Sequence, residues 1–381
     1  EKLAETPIDD SCSKSERQGE RRVRPDLRDH FFDWLKGVGI IAVILIHVVY
    51  LYKDDRDYWI YYEKDHFYYY LGNFVNNVLR FTIPLFLLCS GILLTPFKLE
   101  RKSIFAFYNK KLLRLIPPYI LCTILFHYDK PIGKILTLLL TGKGDVPFYF
   151  MMVLFQCYFI YPFLVFFLGL GDKIVVGGGN PSGKGFRVSF LAALPLMLVL
   201  LISLISEVYP YFWFWKDFPL ATKYIFPFAY GVYARKFFLN YDRERAAGGL
   251  FLWILIMVYY LVYILVTNDY YYNSRYFFGV ATFHLFFYYR EALFVRRVSW
   301  SKIFSFLGSI SLWIFLVHYH VLIYTIELFR ELRLFEGDQA NFYFQQTLVT
   351  VVAIPVSILV AYICHLLYTA VTRPLFQKIE K

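Results

Sequence analysis

Long apolar segments separated by short polar stretches make up most of this chain. A helix needs about 20 apolar residues to cross the roughly 30 Å of hydrocarbon in a bilayer. Segments of this length, or nearly so, run over 32–52, 72–95, 113–128, 147–169, 188–206, 219–236, 249–267, 277–289, 304–325 and 343–370. The pattern predicts an all-α, polytopic membrane protein with about ten transmembrane helices. The apolar stretch 134–142 is predicted either to extend the third span or to lie re-entrant.

The composition indicates that the protein folds in the bilayer as one unit. Hydrophobic residues make up 58% of the 381 residues, whereas soluble domains contain about 45–50%. No polar stretch is long enough to bury a core of its own, so one transmembrane domain is predicted over residues 29–372. Residues 1–28 form a hydrophilic segment without the features of a cleaved signal. They are predicted to be a cytoplasmic tail, and residues 373–381 a second, short one.

The net charge of +11 is explained by topology rather than by a nucleic-acid partner. Most of the 40 Lys and Arg residues lie in the tails and loops that become cytoplasmic when the N-terminus is placed inside. The positive-inside rule therefore predicts two cytoplasmic termini in a multi-pass protein of the cell membrane. Four of the five cysteines lie in apolar segments at unrelated spacings, which predicts neither disulfides nor a zinc site, and no metal is expected.

Ionisable groups within hydrocarbon cost about 2.5–3.5 kcal/mol when charged, so each is a candidate functional residue. Lys36 and His47 are eleven positions apart on the first apolar helix. This spacing places both on one helical face, about 16 Å apart along the axis. Counted from the cytoplasmic ends of their spans, His47 and His318 reach the same depth, so they can line one cavity. His320 lies about 200° around its helix from His318, so at most one of that pair faces the cavity.

Three further cations could take part in the same chemistry. Arg80 lies within the second span and, being always charged, requires an anionic or carbonyl partner. Lys111 and Arg114 are at i,i+3 on one helical face at the start of the third span. Together with Lys36 they could form a cationic rim for phosphates, although ordinary cytoplasmic anchoring also explains them. His284 has no partner motif and is predicted to be structural.

Several motifs carry a resemblance to a known family. The string D-x-L-K-G at 33–37, followed by His47, resembles the signature of the acyltransferase-3 family of integral-membrane O-acyltransferases. The resemblance spans nearly all of the chain from residue 33 onward. Further pieces follow in the family's order: IPLFLLCSG at 83–91, KKLLRLIPPY at 110–119, Gln156, Tyr158 and Pro162, and GSISLWIFLVH at 308–318.

The resemblance implies an activity and a set of residues. The activity is transfer of an acyl group, often acetyl, from cytoplasmic acyl-CoA to a hydroxyl of a lipid-linked or surface glycan. His47 matches the family's essential histidine, Lys36 its basic partner, and Lys111 and Arg114 its R-x-x-R motif. Lys36 and Lys111 depart from the arginines common at these positions, and a lysine at 111 lacks the bidentate fork that binds phosphate.

These expectations combine into a mechanistic hypothesis. His47 acts as the general base, because imidazole is well matched to taking a proton from a sugar hydroxyl near neutral pH. The cationic rim holds the phosphates of acetyl-CoA, and Arg80 or His318 stabilises the tetrahedral oxyanion. Partners are then acyl-CoA, a glycan or lipid-linked sugar, membrane lipid and components of a glycan-assembly machinery.

Alternatives to this hypothesis remain open at the level of the sequence. A covalent acyl-enzyme is less favoured, because Ser90, Ser309 and Ser311 lack a nucleophile-elbow context. A transporter or flippase for a glycan or for protons would use intramembrane histidines and arginines equally well. A passive assembly factor would leave the charged helix faces unexplained.

Overall fold

The computed structural model describes residues 26–54, 66–94, 99–176, 190–208, 221–239, 243–267, 275–290, 298–332 and 340–379. Within these residues the chain forms α-helices and short 3₁₀ turns, with no strand. The predicted tail up to residue 25 lies outside the described residues. The helices are α1 Asp26–Asp54, α2 His66–Leu79, α3 Thr82–Leu93, α4 Arg101–Phe126, α5 Ile132–Thr141, α6 Tyr149–Val176, α7 Phe190–Val208, α8 Ile225–Leu239, α9 Arg243–Thr267, α10 Arg275–Tyr288, α11 Val298–Ser309, α12 Ser311–Glu331 and α13 Ala340–Ile379, with 3₁₀ turns at Val146–Phe148 and Ala221–Lys223.

The predicted class, an all-α membrane protein with several spans, is confirmed by the helix lengths and composition. Among the described residues, six helical stretches are long and apolar enough to cross a membrane: His30–Val49, Leu71–Leu93, Val146–Gly169, Gly249–Thr267, Ser311–Glu331 and Phe344–Thr372. Shorter apolar helices run over Ile132–Thr141, Ala193–Ser206 and Tyr276–Tyr288. The number of ten spans and the placement of both termini in the cytoplasm stay predictions.

The second predicted span contains a break at Arg80. Helix α2 ends at Leu79 and α3 begins at Thr82. Pro84 has no N–H with which to bond the Arg80 carbonyl, so the hydrogen-bond ladder cannot run through this point. The ladder resumes with the Leu85 N–H, which donates to the Phe81 carbonyl at 3.0 Å. The break places Arg80 between two helices rather than on one.

The predicted span 304–325 is also divided, because α11 ends at Ser309 and α12 begins at Ser311. The Ser309 hydroxyl donates to the Phe306 carbonyl at 2.7 Å, and the Ser311 hydroxyl donates to the Gly308 carbonyl at 2.7 Å. Serine side chains that bond nearby carbonyls compete with the backbone ladder and favour such a break. The stretch 134–142 does not extend the third span, because it lies in the separate helix α5.

Helix α1 lies at the centre of the described bundle. It packs against α2, α3, α11, α12 and α13. In its apolar stretch His30–Val49, 61% of the residues are buried, whereas only 6% are buried in the Gly249–Thr267 stretch of α9. Helix α9 is therefore at the periphery, with an apolar surface suited to lipid, and α1 is enclosed by protein.

Helices α1 and α11 cross at a pair of glycines. A methyl group placed on Gly37 would overlap the Phe304 carbonyl oxygen, and one placed on Gly308 would overlap the Asp33 carbonyl oxygen. Small residues allow this close backbone approach in membrane helices. Both glycines belong to the motifs that carry the family resemblance, and here they fix the position of the segment that holds Lys36.

Substituting Gly308 should disrupt this crossing. We expect Gly308→Ala to lower the free energy of unfolding by about 1–3 kcal/mol, because the added methyl meets rigid backbone. Gly133→Ala is the matched control, since a methyl group there meets nothing within 4 Å, and the alanine should be neutral or slightly stabilising. Thermal unfolding of the two variants in detergent measures the difference. Equal stability of the two variants would contradict the close crossing.

Candidate active site

The ring of His47 lies against helix α12. The ring centroids of His47 and His318 are 5.1 Å apart, and the Tyr319 ring centroid lies 5.5 Å from that of His47. His47 also lines a cavity of about 170 Å³, here called the central cavity. Its wall combines residues of α1, the break at Arg80, the start of α3, the turn Val146–Phe148, the start of α6 and α12. The structure thus brings together the two histidines that were paired by depth.

His318 is fully buried and has a defined tautomer. Its Nδ1 lies 3.0 Å from the Ile314 carbonyl oxygen and 2.8 Å from that of Phe315. A carbonyl only accepts, so Nδ1 carries a proton and donates it to these oxygens. In the neutral ring Nε2 is then an acceptor, and it is buried with no hydrogen-bond partner among the described residues. With its proton on Nδ1, neutral His318 can only accept a hydrogen bond at Nε2.

Two polar groups from the break between α2 and α3 join His47 at the central cavity. Arg80 lines the cavity, and its Nε donates to the Asn76 side-chain oxygen at 3.1 Å. Thr82 also lines the cavity and is fully buried, and its hydroxyl has no hydrogen-bond partner among the described residues. The cavity therefore combines an imidazole, a guanidinium and an unsatisfied hydroxyl. No motif in the sequence marks Thr82, and its position two residues after Arg80 is the only signal that connects it with the site.

The Thr82 hydroxyl should affect activity and stability in opposite directions. Thr82→Val removes a buried, unsatisfied polar atom while preserving shape, so the midpoint of thermal unfolding should stay the same or rise. If the hydroxyl bonds a substrate, the same change should lower kcat/KM for acyl transfer by about tenfold. Thermal melts and rates on one preparation measure both effects. Lower stability with an unchanged rate would show that Thr82 is purely structural.

Lys111 of the predicted cationic rim lies within electrostatic reach of both Arg114 and Lys36. The Lys36 ammonium is 3.0 Å from the Asp33 carboxylate. The Lys111 ammonium, just before the predicted third span, is 5.9 Å from the centroid of the Tyr158 ring. Burial lowers the pKa of Lys111 to about 8, and the nearby charges of Arg114, Lys110 and Lys36 act in the same direction. The crowding of like charges is typical of a site that binds an anion.

His318 and His320 differ in their contacts, although neither is among the residues that line the central cavity. His318 is the one against His47. The His320 Nε2 atom instead lies 2.7 Å from an Asp145 carboxylate oxygen, in a loop that no sequence motif connected with this histidine. The two histidines therefore belong to different groups of residues, although they are two positions apart.

Two other residues take positions that the sequence did not specify. Arg235, on α8, donates a hydrogen bond to the Ile92 carbonyl at the end of α3. His284 is hydrogen-bonded to the Tyr230 hydroxyl at 2.6 Å, and its ring stacks on Trp253 with a centroid distance of 4.4 Å. Its surroundings agree with the structural role predicted for it.

Comparison with known families decides which class of protein has this site. The profile of the acyltransferase-3 family, described as an acyltransferase domain, matches residues 29–366. The chain belongs to the acyltransferase-3 family. The match covers α1 through most of α13, so the central cavity and the cationic rim both lie within the acyltransferase domain. Membership implies acyltransferase activity in a multi-pass membrane protein. Comparisons with curated proteins and with solved structures give no significant match.

Proposed function

We propose that this acyltransferase-3 protein transfers a short acyl group, most simply acetyl, from cytoplasmic acyl-CoA to a hydroxyl of a lipid-linked or cell-surface glycan. The CoA phosphates bind at the cationic rim, and the transfer takes place in the central cavity beside His47. The activity requires no resident redox or metal cofactor in this scheme, since acyl-CoA is a co-substrate.

One observation carries this proposal, namely that a single buried helix connects the two sites. Lys36 and His47 lie on the same face of α1, about 16 Å apart along its axis. Lys111 and Arg114 are near the Lys36 end, and the central cavity is at the His47 end. A pantetheine arm is long and thin enough to extend from phosphates at the rim toward the cavity. By the predicted orientation the rim is cytoplasmic, and the acceptor approaches from the opposite side.

In the proposed reaction, residues of this chain move the proton and stabilise the negative charge that develops. His47 takes the proton of the acceptor hydroxyl, and the hydroxyl oxygen attacks the carbonyl carbon of the thioester. The guanidinium of Arg80 stabilises the resulting oxyanion. We assign this role to Arg80 rather than to His318, because the neutral His318 ring offers an acceptor at Nε2. The C–S bond then breaks, and the imidazolium of His47 returns the proton to the leaving CoA thiolate.

The size of the central cavity supports a short acyl group. A cavity of about 150 Å³ holds a molecule as large as benzene, and the central cavity is about 170 Å³. An acetyl thioester and the attacking hydroxyl fit within such a volume. A long fatty acyl chain is several times larger and would require another path between the helices.

Binding of acetyl-CoA tests the donor site and separates an acyltransferase from a transporter of glycans or protons. Acetyl-CoA should raise the thermal midpoint of the purified protein. Lys111→Ala and Arg114→Ala should each weaken binding by about tenfold, because each removes a charged partner of phosphate. The matched control is Lys102→Ala, which removes an exposed lysine from the same helix.

The pH dependence of this binding follows from Lys111. Its pKa of about 8 means that the free protein loses this positive charge as the pH rises through that value. Affinity for acetyl-CoA should therefore fall above about pH 8, and the fall should be smaller in Lys111→Ala. No stabilisation by acetyl-CoA at any pH would contradict the donor site and favour the transporter.

A further inference from the structure

A second group of buried polar side chains lies away from the central cavity. His127 follows α4, Asp145 precedes the turn Val146–Phe148, and His320 lies on α12. The His320 Nε2 is 2.7 Å from an Asp145 carboxylate oxygen, and the His127 Nε2 is 3.7 Å from the same oxygen. The three side chains are only 7–10% exposed. We call them the outer cluster, since the predicted orientation places them on the extracytoplasmic side.

The geometry of the outer cluster is close to that of a transition-metal site. Its three ligand atoms all lie within 4.8 Å of one another. Tetrahedral zinc, with metal–ligand distances of about 2.0–2.2 Å, requires its ligand atoms to be about 3.3 Å apart. The two separations from the shared Asp145 oxygen, 2.7 and 3.7 Å, bracket this value, and the separation between the two imidazoles is at most 4.8 Å, so side-chain rotations must bring the rings closer together.

Two features of the outer cluster point to an additional ligand. The His127 Nε2 is buried and has no hydrogen-bond partner among the described residues, although it points to within 3.7 Å of the Asp145 carboxylate. The His320 ring stacks on Phe126 with a centroid distance of 3.7 Å. An apolar neighbour of this kind limits access of water and fixes the orientation of a ligand ring.

We propose that His127, Asp145 and His320 bind a zinc ion, with a water molecule as the fourth ligand. Two imidazoles and one carboxylate are a ligand set that zinc uses in proteins. The proposal departs from the expectation of no metal, which rested on the spacing of cysteines. It also differs from the acyl-transfer site in its residues, and it stands whether or not the proposed function is correct.

Zinc binding requires Lys130 to give up its present hydrogen bond to His127. Its ammonium lies 3.1 Å from the His127 Nδ1 atom. A neutral imidazole that gives its Nε2 lone pair to zinc carries its proton on Nδ1, and that N–H cannot accept from an ammonium. Lys130 must therefore leave this contact when zinc binds. Its side chain is flexible and only partly buried, so it can turn toward solvent.

The expected role of the zinc is to position one wall of the central cavity. Asp145 is followed directly by Val146 and Pro147, which line that cavity beside His47. His320 belongs to the same helix as Phe315, another lining residue. A metal that joins His127, Asp145 and His320 would fix the loop to α12 and so hold the wall in place. The three ligands are positioning residues, since none of them contacts the cavity.

Metal content provides the test, with full-length protein purified in detergent without a histidine tag. After loading with Zn²⁺ and dialysis, elemental analysis should give about one zinc per chain. His127→Gln, Asp145→Asn and His320→Gln should each reduce it to near zero. The control His365→Gln makes the same kind of change on α13 and should keep the zinc. Equal zinc content in wild type and the three cluster variants would overturn the proposal.

Two further measurements test the site without removing any of the three ligands. Co²⁺ added to wild-type protein should produce the intense visible absorption of a four-coordinate site with nitrogen and oxygen ligands, and Zn²⁺ should abolish it. Lys130→Met should tighten zinc binding, because it removes the competing ammonium. Absence of the Co²⁺ bands, or unchanged or weaker zinc binding by Lys130→Met, would contradict the site.

Discussion

Replacing His47 with glutamine should lower the rate of acyl transfer by about 10²–10⁴-fold, the usual contribution of a general base. Glutamine fills similar space and can hydrogen-bond, but it cannot take a proton at neutral pH. Binding of acetyl-CoA should change little, because Lys36 of the cationic rim is about three helical turns away from His47 on α1, and the other two rim residues lie on α4. The measurement is transfer of labelled acetyl from acetyl-CoA by membranes that contain equal amounts of wild-type and variant protein.

The prediction for His47→Gln has a matched control, a histidine on another helix. His365→Gln changes a partly buried histidine on α13, outside the central cavity, and should retain the wild-type rate. Thermal stability should be similar for both variants. A His47→Gln protein that is folded, binds acetyl-CoA and keeps wild-type transfer would show that His47 is not the base.

Replacing Arg80 with methionine should lower kcat by about 10²–10³-fold, because it removes the donor that stabilises the oxyanion. Methionine preserves most of the apolar stem, so the loss reports the charge rather than packing. Arg80→Lys should recover part of the rate, since it restores a positive charge without the planar fork. Single-turnover rates at saturating acetyl-CoA measure the effect without a contribution from donor binding.

An exposed arginine outside the central cavity provides the control for Arg80. Arg330 is exposed near the end of α12, and Arg330→Met should leave kcat unchanged. If Arg80→Met raises KM for acetyl-CoA but leaves kcat unaffected, the guanidinium binds the donor and does not stabilise the transition state.

The membrane class and the relation between Lys36 and His47 could be predicted from the sequence because both follow from local pattern. Apolar length predicts helices that can span a bilayer, and the spacing of Lys36 and His47 fixes their relation on one helix. The helix breaks could not be predicted as firmly. They depend on the missing N–H of Pro84 and on hydroxyl bonds made by Ser309 and Ser311, and the same residue types are tolerated inside other helices.

Residues of the candidate site could be predicted only where they share a depth in the membrane or one face of the same helix. His47 and His318 were paired because residues at one depth in neighbouring helices can meet. The choice between His318 and His320 required knowledge of which helix packs on each side of α12. The contact between Asp145 and His320 joins residues 175 positions apart, so no local spacing could reveal it. Thr82 was missed because a single threonine has no distinctive pattern.

The mass of glycans isolated from producing cells tests the central claim most directly, because it reports the acyl group and its acceptor together. The account predicts that cells with the wild-type protein yield a surface or lipid-linked glycan heavier by an alkali-labile acyl ester, with acetyl the expected group. Cells with equal amounts of the His47→Gln protein should yield the unmodified glycan. Identical glycan masses in cells with wild-type protein, with the variant and with neither would contradict it.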